Sequence, residues 1–202
     1  TATYKEIILP YIQGYDKIVA EIKSTNTLLR IPDGRIVGFN TDVLGFETTL
    51  RQIIPSKDWA ISALVLGTGG ASKAVQYVLS HHGIPYRTVS RDPQKGDVTY
   101  QDLSPEMIQQ HLLIINTTPV GTFPRIEEAP SLPYESIGPN HRLIDLVYNP
   151  EATLFLKKGK DNGAHTVNGL TMLLTQAEAS WQLWQTPFEK LEDHILFNES
   201  PR

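Results

Sequence analysis

Cysteine is missing from all 202 residues, which excludes disulfides, thiol catalysis and cysteine-ligated zinc and fits a reducing compartment. No apolar run approaches the roughly 18–20 residues that a membrane span needs. Clustered Lys and Arg are also lacking. The 18 basic and 22 acidic residues leave a formal charge of −4, so an electrostatic nucleic-acid binder is not expected. The opening residues TATYKEIILP carry Lys and Glu where a secretory leader needs an apolar stretch. The six His include no pair at metal-ligand spacing on one helix face, so no metal site is expected. What is present is a globular balance, 40% apolar and 20% charged. The reading is a cytoplasmic α/β protein long enough for a sizeable core.

Residues 27–31 and 35–39 are short apolar stretches around Pro32-Asp33-Gly34, the pattern of a strand pair joined by a tight turn. Asn40-Thr41-Asp42 then precedes apolar residues at helical spacing from Val43 to Ile54, with Thr41 or Asp42 as the cap and Pro55 as the stop. Residues 61–66, apolar apart from Ser62, form a continuous run of the kind shown by a strand covered on both faces. Further strands are expected at 86–90, 112–115 and 143–147, with helices after the first of the series and over 151–162. Alternating strands and helices imply a parallel sheet. Between Arg91 and the strand at 112 the connection is short, with room for a turn or two of helix around 105–110. Residues 169–185 read as an amphipathic helix burying Leu170, Leu173, Leu174, Ala177, Trp181 and Trp184, and a short helix from Phe188 follows. Trp59 is assigned to the core with the other two Trp. Residues 1–54 and 166–202 are expected to share one lobe and 55–165 to form the other, with the site in the cleft between them.

The turn Gly67-Thr68-Gly69-Gly70-Ala71-Ser72 follows a buried strand and opens a helix. Glycines there permit the tight turn and a close approach of phosphate, and the helix N-terminus offers free N–H groups. The pattern points to a dinucleotide; a purely structural turn or an adenosyl-cofactor methyltransferase is the alternative. Where a site for NAD usually places a carboxylate, the second strand ends in Ser90-Arg91-Asp92 with Lys95 nearby, which favours the 2′-phosphate of NADP. Asp92 argues the other way.

Six segments together resemble the shikimate dehydrogenase family: NTL (26–28), GFNTDVLGF (38–46), VLGTGGASKAV (65–75), INTTPVG (115–121), DLVYNP (145–150) and NGLTMLLTQA (168–177). Tyr4-Lys5-Glu6 is similar to the segment that carries the family's catalytic lysine. The resemblance implies a Rossmann-type NADP-binding domain with an incomplete α/β substrate lobe. It also implies reversible NADP-dependent reduction of 3-dehydroshikimate to shikimate in aromatic biosynthesis, by a monomer or homodimer. It assigns Lys5 and Asp42 to catalysis, and Thr1, Asn26, Tyr148 and Gln176 to the substrate. Gly67 to Ala71, Ser90, Arg91, Lys95, Asn116, Thr117, Thr118, Pro119, Leu146 and Gly169 match cofactor contacts.

Taken alone, Lys5 reads as a solvated lysine and Asp42 as a helix cap; the resemblance gives both another meaning. Hydride delivery to a ketone builds negative charge on oxygen, and an ammonium held by a carboxylate can supply the proton. The sequence departs from the family's pattern in three places. It opens after the Ser-x-Ser pair that grips the substrate carboxylate, within what the family would make a strand. Thr122 replaces a methionine, and Asn168 an acidic residue. Two rivals follow: an NAD-dependent quinate/shikimate dehydrogenase, and a catalytically incompetent nucleotide-binding fragment.

Overall fold

Successive residues of the central strands point to opposite faces, and both faces are buried. In a computed structural model describing residues 4–54 and 60–198, Ala63 and Val65 of β4 (Ala63–Leu66) face one apolar cluster, and Leu64 and Leu66 face another. Thr1, Pro55 and Trp59 lie outside the described residues. Helices α2 (Asp42–Ile53) and α3 (Gly70–His81) cover the first face through Phe46, Leu50, Val75 and Leu79. Helices α4 (Pro105–Gln110) and α5 (Leu154–Asp161) cover the second through Ile108 and Phe155. A strand covered on both sides has no use for polar residues, hence the unbroken apolar run.

The sheet holding β4 is six-stranded and wholly parallel, in the order β6-β5-β4-β7-β8-β9. Its remaining strands are β5 (Tyr86–Ser90), β6 (Val98–Thr99), β7 (Leu113–Asn116), β8 (Arg142–Asp145) and β9 (His165–Val167). Counted from its first strand this is the order 3-2-1-4-5-6 of a dinucleotide-binding fold, whose direction of winding reverses between β4 and β7. The expected parallel sheet is therefore present. Strands β6 and β9 escaped the sequence because two or three residues are too few for a periodic signal.

A four-stranded sheet, ordered β10-β1-β3-β2, uses β1 (Gly14–Asp16), β2 (Thr27–Arg30), β3 (Ile36–Phe39) and β10 (Ile195–Phe197). The expected strand pair 27–31/35–39 is β2 against β3, antiparallel, with Thr27 opposite Phe39. Strand β1 leads into α1 (Lys17–Ile22), capped by Asp16, which accepts the Val19 N–H at 2.7 Å.

Residues 4–8 form successive turns, with the Ile8 N–H bonded to the Tyr4 carbonyl; the strand expected where the chain opens starts at residues outside those described. The short helix expected from Phe188 is present as a 3-10 turn, Phe188–Lys190, and β10 comes after it, its antiparallel pairing with β1 drawing the chain into the sheet. Two expectations need correction. Thr41 stands at the N-cap of α2, but neither its side chain nor that of Asp42 accepts a bond from the helix start. The Asn40 side chain accepts the Asp42 N–H at 3.1 Å, while the Thr41 and Asp42 side chains are engaged with Asn26. The last correction concerns α6 (Leu170–Gln185). Leu170, Leu174, Trp181 (61%) and Trp184 (50%) stand exposed, so the two Trp are not core. The buried residues of α6 are Met172 and Ser180. Ser180 bonds Thr27 at 2.7 Å and Thr41 at 3.0 Å, so its buried face carries hydrogen bonds as well as apolar packing.

Candidate active site

Four of the residues that sequence assigned to catalysis or substrate come together where the four-stranded sheet, α2 and α6 meet. The Lys5 ammonium donates to one oxygen of the Asp42 carboxylate; the side chains are 11% and 7% exposed. The other Asp42 oxygen accepts from Asn26 Nδ2 at 2.9 Å. The same Asn26 nitrogen lies 3.3 Å from Gln176 Oε1, and Asn26 Oδ1 accepts the Thr41 N–H at 2.9 Å. Backbone bonds fix the arrangement, since the Thr25 N–H donates to the Lys5 carbonyl at 2.8 Å. A buried ammonium–carboxylate pair is retained only where further hydrogen bonds satisfy it, and Asn26 provides one. Tyr148 is not part of this cluster. It stands half exposed after β8 and makes no side-chain hydrogen bond among the described residues.

Gly70 connects the cluster to the glycine turn. A Cβ at Gly70 would lie 3.1 Å from Ser24 Oγ and 3.2 Å from the Lys5 Cβ, so the lysine stem rests on the start of α3. Gly67 occupies the left-handed region at φ +107°, and a side chain there would strike the Thr117 hydroxyl at 2.8 Å. Gly69 is the N-cap of α3 and offers no side chain to it, which leaves the helix's first N–H groups for a ligand. Ser72 is turned away from that position, donating to the Gly67 carbonyl at 2.7 Å.

From this turn a groove of about 1110 Å³ runs over the carboxyl ends of β4, β5 and β7, the place where an open parallel sheet binds ligands. Gly67, Thr68 and Gly69 line one part of it, Thr117, Thr118 and Pro119 a second, and Ser90, Arg91 and Lys95 a third. Gly70, Ala71, Asn116, Leu146 and Gly169 do not line it. Arg91 has no hydrogen bond or ion pair among the described residues. Asp92, which argued for NAD, is engaged in its own loop: one oxygen takes the Gln94 N–H at 3.0 Å and the other lies 3.6 Å from Lys95 Nζ. Sequence reasoning missed Tyr100, Arg125 and Glu128, which also border the groove. The last two lie on a loop without periodic structure, which offered no signal.

Asp145 was quoted within a motif but given no role. It is wholly buried at the end of β8, and desolvation pushes its carboxyl up to about 6 despite bonds from Thr153, Val147 and Asn116. The folded state then holds this proton more tightly than the unfolded chain, whose carboxyl titrates near 3.8. Its contribution to stability falls as pH rises from about 4 to about 6 and is flat above. Asp145→Asn is expected to flatten that part of the stability–pH curve, measured as the difference between the two proteins' denaturant midpoints. An unchanged slope would refute the assignment.

An uncapped helix start beside a glycine turn, on a parallel sheet of this order, defines a dinucleotide-binding protein of the Rossmann class. No family profile matches the chain. It is 34% identical to a shikimate dehydrogenase (NADP(+)) of Halothermothrix orenii, over 91% of this chain and 70% of that protein. Against the enzyme of that name from Ignicoccus hospitalis the identity is 36%, over 91% and 71%. The crystal structure of shikimate 5-dehydrogenase from Thermus thermophilus, in complex with NADP(H) and shikimate, superposes with a TM-score of 0.79 at 32% identity, over 91% and 70%. The chain belongs to the shikimate dehydrogenase family, and it spans about 70% of the length of these relatives.

Proposed function

We propose that this chain acts as an NADP-dependent shikimate dehydrogenase, reducing 3-dehydroshikimate reversibly to shikimate. The observation that carries the reading is the Lys5–Asp42 pair, tied to Asn26 and Gln176 and resting on the glycine turn of the dinucleotide groove. Residues 55–165 then serve as the cofactor lobe, although β9 extends that sheet to Val167, and 1–54 with 166–202 serve the substrate. No described helix is long and apolar enough to cross a membrane, in keeping with a cytoplasmic enzyme.

The residues present suit the cofactor. Gly67 and Gly69 leave the backbone open to a diphosphate at the start of α3, and Arg91 and Lys95 offer positive charge to a 2′-phosphate. Ser90, Thr117, Thr118 and Pro119 line the same groove, while Gly70, Ala71, Asn116, Leu146 and Gly169, which the resemblance also assigns to the cofactor, do not line it. The cofactor, when bound, supplies the hydride. The chain's own part is the proton. Lys5 Nζ donates it to the carbonyl oxygen as negative charge develops there, and recovers it from solvent. Asp42 holds the ammonium in position, Asn26 and Gln176 orient the pair and the substrate's hydroxyls, and Tyr148 reaches the substrate from the β8 side.

Purified protein assayed for shikimate oxidation at equal NADP and NAD is expected to prefer NADP. A preference for NAD, or quinate oxidised faster than shikimate, would favour the quinate reading. Binding of NADP without turnover would leave a nucleotide-binding protein only. Arg91→Ala is expected to weaken NADP about tenfold, the loss of one charge-assisted contact, while NAD is unaffected. Calorimetric titration checks this, and equal losses for the two nucleotides would assign Arg91 a scaffold role.

A further inference from the structure

Asp145 is wholly buried and has no ion-pair partner among the described residues, only uncharged donors. Such a carboxylate is costly to bury, and an apolar residue of similar size would fill the space at less expense. Its bonds are all to segments that carry site residues or start a helix. One oxygen accepts from Asn116 Nδ2 at 2.9 Å and from the Val147 N–H at 3.0 Å. The other accepts the Thr153 hydroxyl at 2.6 Å, at the N-cap of α5.

Asn116 passes the constraint on. A carboxylate only accepts, so the Asn116 amide must turn its nitrogen toward Asp145 and its oxygen the other way. That oxygen takes the Thr118 N–H at 3.1 Å and the Thr118 hydroxyl at 2.6 Å. The Thr118 hydroxyl in turn receives the Val120 N–H at 3.3 Å. On the other side, the Val147 bond fixes the chain between Leu146 and Tyr148. Asp145 and Asn116 are register partners on neighbouring strands, so the link is short and rigid.

We propose that Asp145 is a positioning residue for the cofactor groove, its buried carboxylate holding the Thr117–Pro119 loop and the Leu146–Tyr148 segment in one fixed arrangement. The proposal rests on the reading of the groove as an NADP site and goes beyond it in naming what sets the groove's shape.

The test compares Asp145→Ala, Asp145→Asn and Thr153→Ala with the parent protein. Asp145→Ala is expected to weaken NADP binding, measured by calorimetry without substrate, by on the order of tenfold or more, since the loop is no longer held. In the cofactor-free protein, exchange of the Thr118 amide hydrogen should accelerate by a similar factor. Asp145→Asn keeps an acceptor for Asn116 and Val147, so it should stay within about threefold of the parent in both readouts. Thr153→Ala removes the α5 cap, lowering the melting temperature while leaving NADP affinity and Thr118 exchange unchanged.

The idea is overturned if Asp145→Ala binds NADP and protects Thr118 as the parent does, or if Thr153→Ala loses as much of both. Should Asp145→Ala not fold, Asp145→Ser, too short to reach Asn116, decides by the same readouts. A parent protein that does not bind NADP would sink the functional reading instead, and Thr118 exchange would still decide whether Asp145 holds the loop.

Discussion

Replacing Lys5 by methionine is expected to lower the turnover of 3-dehydroshikimate by roughly 10²–10⁴-fold, the usual contribution of a positioned proton donor. Methionine keeps the apolar stem that rests on Gly70, so the groove retains its shape and NADP affinity should stay within about twofold. The change also strands the Asp42 carboxylate, which among the described residues retains only its bond from Asn26. A stability loss of about 3–5 kcal/mol is therefore expected. Assays well below the melting temperature separate that loss from the chemistry. Turnover near the parent's would remove Lys5 from the mechanism, and a parallel loss of NADP binding would make it a scaffold residue.

Gly169→Ala is expected to destabilise the fold about as much, with no loss of charge pairing. A Cβ at that position would lie 2.1 Å from the Leu146 carbonyl oxygen and 2.5 Å from its carbon. Both are backbone atoms, and Leu146 is fixed in turn by its N–H bond to the Asn116 carbonyl at 2.9 Å. Neither side can yield without moving the end of β8 or the start of α6. A loss of about 3 kcal/mol or more follows, lowering the melting temperature by roughly 6–12 °C. A calorimetric scan within about 2 °C of the parent would show that the contact relaxes at little cost.

Both effects depend on contacts between residues far apart in the chain, which marks how much could be read beforehand. The parallel sheet, the strand pair around Pro32-Asp33-Gly34, the glycine turn and its helix were legible because each leaves a local pattern: an unbroken apolar run, a turn signal, a helical period. The helix α6 was read at its place in the chain, but its buried face was misread for an equally physical reason. Its apolar stripe was the louder signal, yet Ser180 and Gln176 turn inward because Asn26, Thr27 and Thr41 bring polar groups that must be satisfied on burial. Asp145 was in plain view at the end of a strand, but a lone acidic residue does not announce three donors arriving from Asn116, Val147 and Thr153.

Taken alone, the order of residues made the central strands, the longer helices and the family resemblance legible, since helical period, strand burial and the glycine turn are properties of neighbours along the chain. The folded arrangement brings Lys5 to Asp42 as the resemblance implied, and it alone showed that Asn26 joins them to Gln176 and that Asn116 donates to Asp145. A hydrogen bond between distant residues depends on where two backbones come to lie, and no local propensity encodes that.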